Sequence, residues 1–245
     1  MKPKILAAGL AMLMPMVTPG AEPGQRVPVL AELFTSEGCS SCPPADALLM
    51  DLDRKQPVKT AQIIVLSEHV DYWNSLGWKD PFSSAEFSAR QTAYARALKA
   101  EVYTPQLVID GSEQFVGSDT GAITAAITRA ALRPKAPVRI VSAHRDGAEI
   151  VVGVSVPAGP GDLWIAVADE RDESSVRRGE NSGRTLPHVA VVRHLVKAGS
   201  VAEGFEKQVR IALAPGGQMG GTRIVAFLVA PGGRVVGVNM FPLAQ

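Results

Sequence analysis

The sequence predicts an α/β fold followed by a small all-β sandwich, and three observations carry that expectation. An apolar run of strand character, Val27–Phe34, leads into Cys39-Ser40-Ser41-Cys42 and then a helical stripe of Ala45, Leu48, Leu49 and Leu52. Strand and helix patterns go on alternating as far as Arg133. Beyond a linker, Arg133-Pro134-Lys135-Ala136-Pro137, only strand patterns recur. The expected organisation is therefore residues 26–133 as the α/β part and 137–243 as the β-sandwich.

The chain has 245 residues, enough for one large domain or two ordinary ones. Its 25 basic and 24 acidic residues nearly cancel, so nothing points to nucleic acid as a partner. After the N-terminus no stretch is long and apolar enough to predict a membrane span in the mature chain. Lys2 and Lys4, the apolar run Ile5–Val17 and small residues up to Ala21 have the pattern of a secretory signal peptide, residues 1–21. The expected location is thus periplasmic or secreted, an oxidising setting in which a cysteine pair persists as a disulfide.

The two cysteines are the only ones in the chain. Strand, turn with Cys-x-x-Cys, then helix is the context in which this spacing reads as redox chemistry. A helix N-terminus offers unpaired N–H groups and a partial positive charge, which favour a thiolate. Cys39 is accordingly the expected nucleophile and the more exposed thiol, with Cys42 resolving. Pro43 and Pro44 suit a first helical turn. A purely structural disulfide remains open, although so small a loop removes little chain entropy; so does half a zinc site, without a second cysteine pair.

The first helix should end at Gln56-Pro57. Gln62–Leu66 reads as a buried parallel strand, running parallel to Val27–Phe34 because a helix-length crossover joins them. A long aromatic loop, His69–Phe82, follows and should form a wall beside the cysteines. Ser83 with Glu86 is a capping box opening a helix whose face carries Phe87, Tyr94 and Leu98. A strand beginning at Pro105 meets a short one around Gln114–Val116 through Asp110-Gly111, a hairpin signal. Asp119 should cap a last helix presenting Ile123, Ile127 and Ala130. Past the linker come about seven short strands punctuated by Asp146-Gly147 and by Gly/Pro turns, among them Pro215–Gly217.

This order, with Thr104-Pro105 opening a strand, resembles the thioredoxin fold. The resemblance implies a cis Pro105 facing the cysteines, with Thr104 offering its backbone to an extended substrate. The stretches LAELFTSEGCSSCPPADALL, HVDYWNSLGWKDPFSS, VYTPQLVIDG, FVGSD and RGENSGRTLPH resemble an exported thioredoxin-like family called domain of unknown function 1223. One departure matters. Thioredoxin-type reductases carry a buried Asp six residues before the first cysteine; this chain has Leu33 there, and the neighbouring Glu32 should point to the opposite strand face.

His69 reads in three ways: a base near the thiols, a copper ligand together with Cys39 and Cys42, or a group hydrogen-bonded inside its loop. Trp73 and Trp78 read chiefly as loop packing. The polar run Arg177–His188 reads as a solvated face, with binding of an anionic group or docking against the cysteine edge as the alternatives. The resulting expectation is thiol–disulfide exchange through Cys39 and Cys42 with a protein thiol or disulfide. Thr104, Pro105, His69 and Trp73 are the substrate-contact candidates, and neither cofactor nor resident metal is called for. The rival expectations are a metallochaperone using Cys39, Cys42 and His69, and a redox-inert interaction protein.

Overall fold

A computed structural model describes residues 26–213 and 221–243. The expected signal peptide, residues 1–21, and the Pro215–Gly217 turn lie outside the described residues.

Strands β1 (Val27–Thr35) and β2 (Ala61–His69) are parallel, in register from Val27 opposite Ala61 to Thr35 opposite His69. Helix α1 (Pro43–Lys55) makes the crossover between them. Its two leading prolines occupy positions whose N–H groups would have no helical partner. Asp46 in the first turn and Arg54 and Lys55 in the last agree with the helix dipole. The helix ends as Gln56 adopts a left-handed conformation, its N–H donating to Leu52 O.

Helix α2 (Ala85–Leu98) is capped one residue later than the capping-box spacing implies: Ser84, not Ser83, accepts from the Glu86 N–H. Strands β3 (Gln106–Ile109) and β4 (Glu113–Val116) form the hairpin, and both Asp110 and Gly111 have positive φ, as its tight turn demands. β3 is antiparallel to β1. Helix α3 (Thr120–Ala130) is capped by the Asp119 carboxylate on the Ala122 N–H. Val29, Ala31 and Leu33 pack on the α1 and α3 side, whereas Leu30 meets Phe87 of α2 on the other. Burial on both faces explains why β1 is apolar almost throughout rather than alternating.

The remaining strands are β5 (Arg139–Asp146), β6 (Glu149–Val156), β7 (Asp162–Ser175), β8 (Thr185–Ser200), β9 (Phe205–Ala212), β10 (Thr222–Val229) and β11 (Val235–Leu243). They do not close on themselves as a separate sandwich. Four of them extend the first sheet into eight strands, ordered β11-β10-β7-β8-β2-β1-β3-β4, and β5-β6-β9 form a second sheet. The junction is the parallel contact of β2 with β8, at Ser67 opposite Val191. The physical reason is the free edge of β2, whose N–H and C=O groups need a partner. The three-stranded sheet then covers one face of the extension, with Ile150, Val152 and Val154 against Ile165, Val167 and Ile224. Arg223 of β10 clamps the halves by pairing with Asp53 of α1 at 2.8 Å and with Glu170 of β7. No helix of the described residues is long and apolar enough to cross a membrane.

Candidate functional site at the Cys39–Cys42 turn

Cys39 and Cys42 are joined as a disulfide, with Cα atoms 5.4 Å apart, where β1 hands over to α1. Cys42 is the helix N-cap, and its carbonyl accepts from the N–H groups of Ala45 at 2.8 Å and Asp46 at 3.1 Å. Neither cysteine is exposed: both have 0% of their surface accessible. This corrects the expectation that Cys39 stands open at the mouth of the turn.

The tip of the long β7–β8 hairpin, the run that its charge suggested was solvated, docks on the backbone of the cysteine turn. The Asn181 side-chain amide donates to the carbonyls of Glu37 and Cys39, at 2.9 Å each. The Glu180 carboxylate accepts from the Ser40 N–H at 2.9 Å, and contacts with Ser40 hold it below its ordinary range. Asn181 is buried while its charged neighbours Arg177 and Arg178 remain exposed. The tip is thus part solvated and part docked, the docked part being Glu180 and Asn181 on the cysteine turn and Gly179 against Trp78.

The aromatic loop packs on the same turn. Gly38 lies so close to Trp73 that a Cβ there would stand 3.3 Å from the Trp73 Cβ. Trp73 Nε1 donates to Thr104 Oγ1 at 2.8 Å, and Trp78 Nε1 to Glu37 Oε2 at 2.7 Å. Asp80 accepts from the Glu37 N–H at 2.8 Å. The Thr104–Pro105 bond is cis, and the Pro105 carbonyl accepts from Gly117 N at 2.9 Å. Gly117 has no room for a side chain, since a Cβ would meet Leu33 Cδ1 at 2.8 Å, Ala45 Cβ at 2.9 Å and Pro105 Cβ at 3.1 Å. Of the residues the sequence singled out, Cys39, Cys42, Trp73, Thr104 and Pro105 therefore gather at one edge of the sheet.

His69 is placed differently. It is fully buried, with Nδ1 2.7 Å from Asp80 Oδ2, and Nε2 has no hydrogen-bond partner. Of its three readings this is the internally bonded one, and it offers no surface for a substrate. Among the described residues no three or more His, Cys, Asp or Glu side chains are grouped so as to hold a metal ion.

Beneath the turn lies a buried ionic cluster that sequence reasoning missed. Glu37 accepts from Trp78 and from Ser174 Oγ, and stands 3.3 Å from His188 Nε2. The other ring nitrogen, Nδ1, is 3.8 Å from Asp46 Oδ1. The His188 ring lies edge-on to His69, centroids 4.7 Å apart, and Phe82 closes the group. Burial alone would lower the His188 pKa, but Asp46 and Glu37 outweigh it and raise the value to about 10. Burial likewise pushes Asp80 up, and His69 with the Glu37 and Phe82 N–H groups brings it below its ordinary range. His188 was visible only as the end of a polar run; nothing local marked it as the partner of Asp46, far earlier in the chain.

Among solved structures, the chain is similar to a crystal structure of protein AGR_C_4864 from Agrobacterium tumefaciens: 29% identity, TM-score 0.66, covering 89% of this chain and 95% of that one. Inactive OgpA from Akkermansia muciniphila bound to an O-glycopeptide matches at 13% identity and TM-score 0.31, over 67% of this chain and 37% of that one. An endonuclease/exonuclease/phosphatase from Beutenbergia cavernae matches at 14% identity and TM-score 0.25, over 44% and 26%. Likenesses that slight carry no argument about this chain. No curated protein matches it. The family model described as protein of unknown function (DUF1223) matches residues 30–229, from β1 through the last residue of β10, and the chain belongs to that family.

Proposed function

We propose that the chain is an exported thiol–disulfide oxidoreductase whose N-terminal half is a thioredoxin-like unit and whose partner is a protein thiol or disulfide. The observation that supports this most is the common neighbourhood of the Cys39–Cys42 turn and Thr104–Pro105: Ala45, in the first turn of α1, and Pro105, before β3, both border Gly117, and Trp73 lies against Gly38 and donates to Thr104. Parallel β1 and β2 joined by α1, with antiparallel β3 and β4 beside β1, accord with that architecture.

In this reading a partner thiolate attacks Cys39 Sγ, the Cys39–Cys42 bond breaks, and Cys42 leaves as a thiolate that takes up a proton. A second partner thiolate then displaces Cys39, so two partner thiols become one disulfide and the chain gains a dithiol. The reverse sequence reduces a partner disulfide. The dipole of α1 stabilises the developing thiolate. Both sulfurs are covered, so engagement of a partner includes displacing the Asn181 contact.

The same burial favours a second reading, an inert bridge in an interaction protein. Expression of a Cys42→Ser variant in the exporting cell separates them. Mixed disulfides between Cys39 and partner proteins support exchange; a variant that captures none under conditions trapping a control oxidoreductase contradicts it.

A further inference from the structure

Reduced Cys42 has a requirement that the exchange chemistry alone does not meet. Its thiol must lose a proton before it attacks, and regain one when it leaves. The residue is fully buried, so bulk water is a poor partner for that proton. Glu32 is no substitute. It belongs to the α2 side of β1, where it accepts from Arg90 Nε at 2.7 Å and from the Tyr94 hydroxyl at 2.5 Å.

Asp46 is placed to serve. It follows Cys42 by one helical turn on α1, its N–H donating to the Cys42 carbonyl at 3.1 Å, and residues so spaced share a helix face. Its Oδ1 is buried with no hydrogen-bond partner, and so is His188 Nδ1, 3.8 Å away. Two orphaned buried polar atoms facing each other are costly unless something uses them. The second ring nitrogen of His188 faces Glu37, so a doubly protonated ring meets a carboxylate on each side.

We infer that Asp46, oriented by His188, is the proton relay of Cys42. This rests on the exchange reading above. When Cys42 attacks the mixed disulfide, the proton passes from its Sγ to the Asp46 carboxylate, which the His188 imidazolium faces at 3.8 Å. When Cys42 is the leaving group, the proton returns along the same line, and no further oxidant or reductant is required. Asp46 exchanges the proton with the reacting sulfur; His188 acts through Asp46 and is a positioning residue. The groups around His188 are Glu37 from the cysteine turn, Asp46 from α1, Asp172 from β7, and His69 with Phe82 from β2 and its loop. Arg193, farther along its own strand, sits over Phe82 and pairs with Asp169 and Asp172. The relay is therefore one outlet of a larger charged cluster, and the pH at which it works reflects all of these groups.

The test uses the full-length reduced protein and the small aromatic disulfide dithionitrobenzoate. The first thionitrobenzoate released reports attack by Cys39, and the second reports attack by Cys42 on the mixed disulfide. Asp46→Asn should leave the first release unchanged and slow the second about a hundredfold at neutral pH, the scale of lost general-base catalysis. The rate of the second should then climb with pH as for an unassisted thiol. An unchanged rate and pH profile for the second release would overturn the relay. Because the substitution disturbs a buried cluster, the wild-type protein supplies an independent readout. The His188 ring, followed by NMR, should change its titration midpoint when the disulfide is reduced, and an identical midpoint in both forms would also overturn it. Failure of the exchange reading looks different: reduced wild-type protein would release no thionitrobenzoate at either step, and the relay would fall with it.

Discussion

The side-chain amide of Asn181 donates to the backbone carbonyl of Cys39 at 2.9 Å, across 142 positions of sequence. The same amide reaches the carbonyl of Glu37, so one residue fixes the turn on both sides of Gly38. The β7–β8 hairpin tip thus holds the backbone of the cysteine turn, and the disulfide is buried rather than lying in an open cleft.

Removing that amide should open the site. Asn181→Ala leaves the Glu37 carbonyl unpaired and the Cys39 carbonyl with only the Cys42 N–H, an expected cost of about 1–3 kcal/mol. Reduction of the disulfide by a bulky phosphine should become severalfold faster than in the wild type, as measured by stopped sampling and mass spectrometry. Equal rates would mean that the tip does not control access.

The cluster under the turn makes stability depend on pH in a definite direction. His188 has its folded pKa raised from 6.5 to about 10, so its contribution is complete below 6.5 and is lost as pH climbs toward 10. Denaturant unfolding across that window should show stability falling, and His188→Gln should flatten the fall. A wild-type curve that is level there would remove the imidazolium from the account.

On the opposite face of β1, Arg90 holds Glu32 at 2.6 Å and approaches Glu68 at 3.5 Å. Burial first, then the charge of Glu32, raises the Glu68 pKa well above its ordinary value. Arg90→Met strips the cation from two buried carboxyl groups and should cost about 3–5 kcal/mol. Because the pair lies on the α2 side, any thiol exchange by the folded variant should proceed at the wild-type rate. A loss of less than 1 kcal/mol, on the scale of a surface pair, would contradict the assignment.

Trp73 ties the cysteine turn to Thr104 through its indole N–H. Trp73→Phe keeps an aromatic ring but loses that bond. Exchange with a bulky protein disulfide should slow more than exchange with glutathione disulfide. Equal slowing of both would leave Trp73 as a packing residue.

Much of the frame was legible because its signals are local. Val27–Phe34, the cysteine turn and the Ala45–Leu52 stripe announce strand, turn and helix within thirty residues, and Asp110-Gly111 and Asp119 fix a hairpin and a cap through their own backbone chemistry. The all-β half was legible as strands but not as an arrangement. Nothing in Val189–Val192 says that it will line the edge of β2, because an apolar strand fits any apolar edge of matching twist. The hairpin tip failed for a similar reason. A run with Arg177, Arg178, Glu180 and Arg184 has the composition of a solvated face, and the docking residues Gly179, Glu180 and Asn181 are hidden among those that do not dock. His188 and Asp46 are each unremarkable alone; only folding brings them within 3.8 Å.

The most direct test of the exchange reading is the equilibrium of the Cys39–Cys42 bridge with a glutathione redox buffer, quantified by alkylation and mass spectrometry. An exchange-active pair should be reduced and reoxidised reversibly, with a potential above about −300 mV. A bridge that stays oxidised through the whole glutathione range, with a potential below about −300 mV, would make it a structural staple and contradict the account.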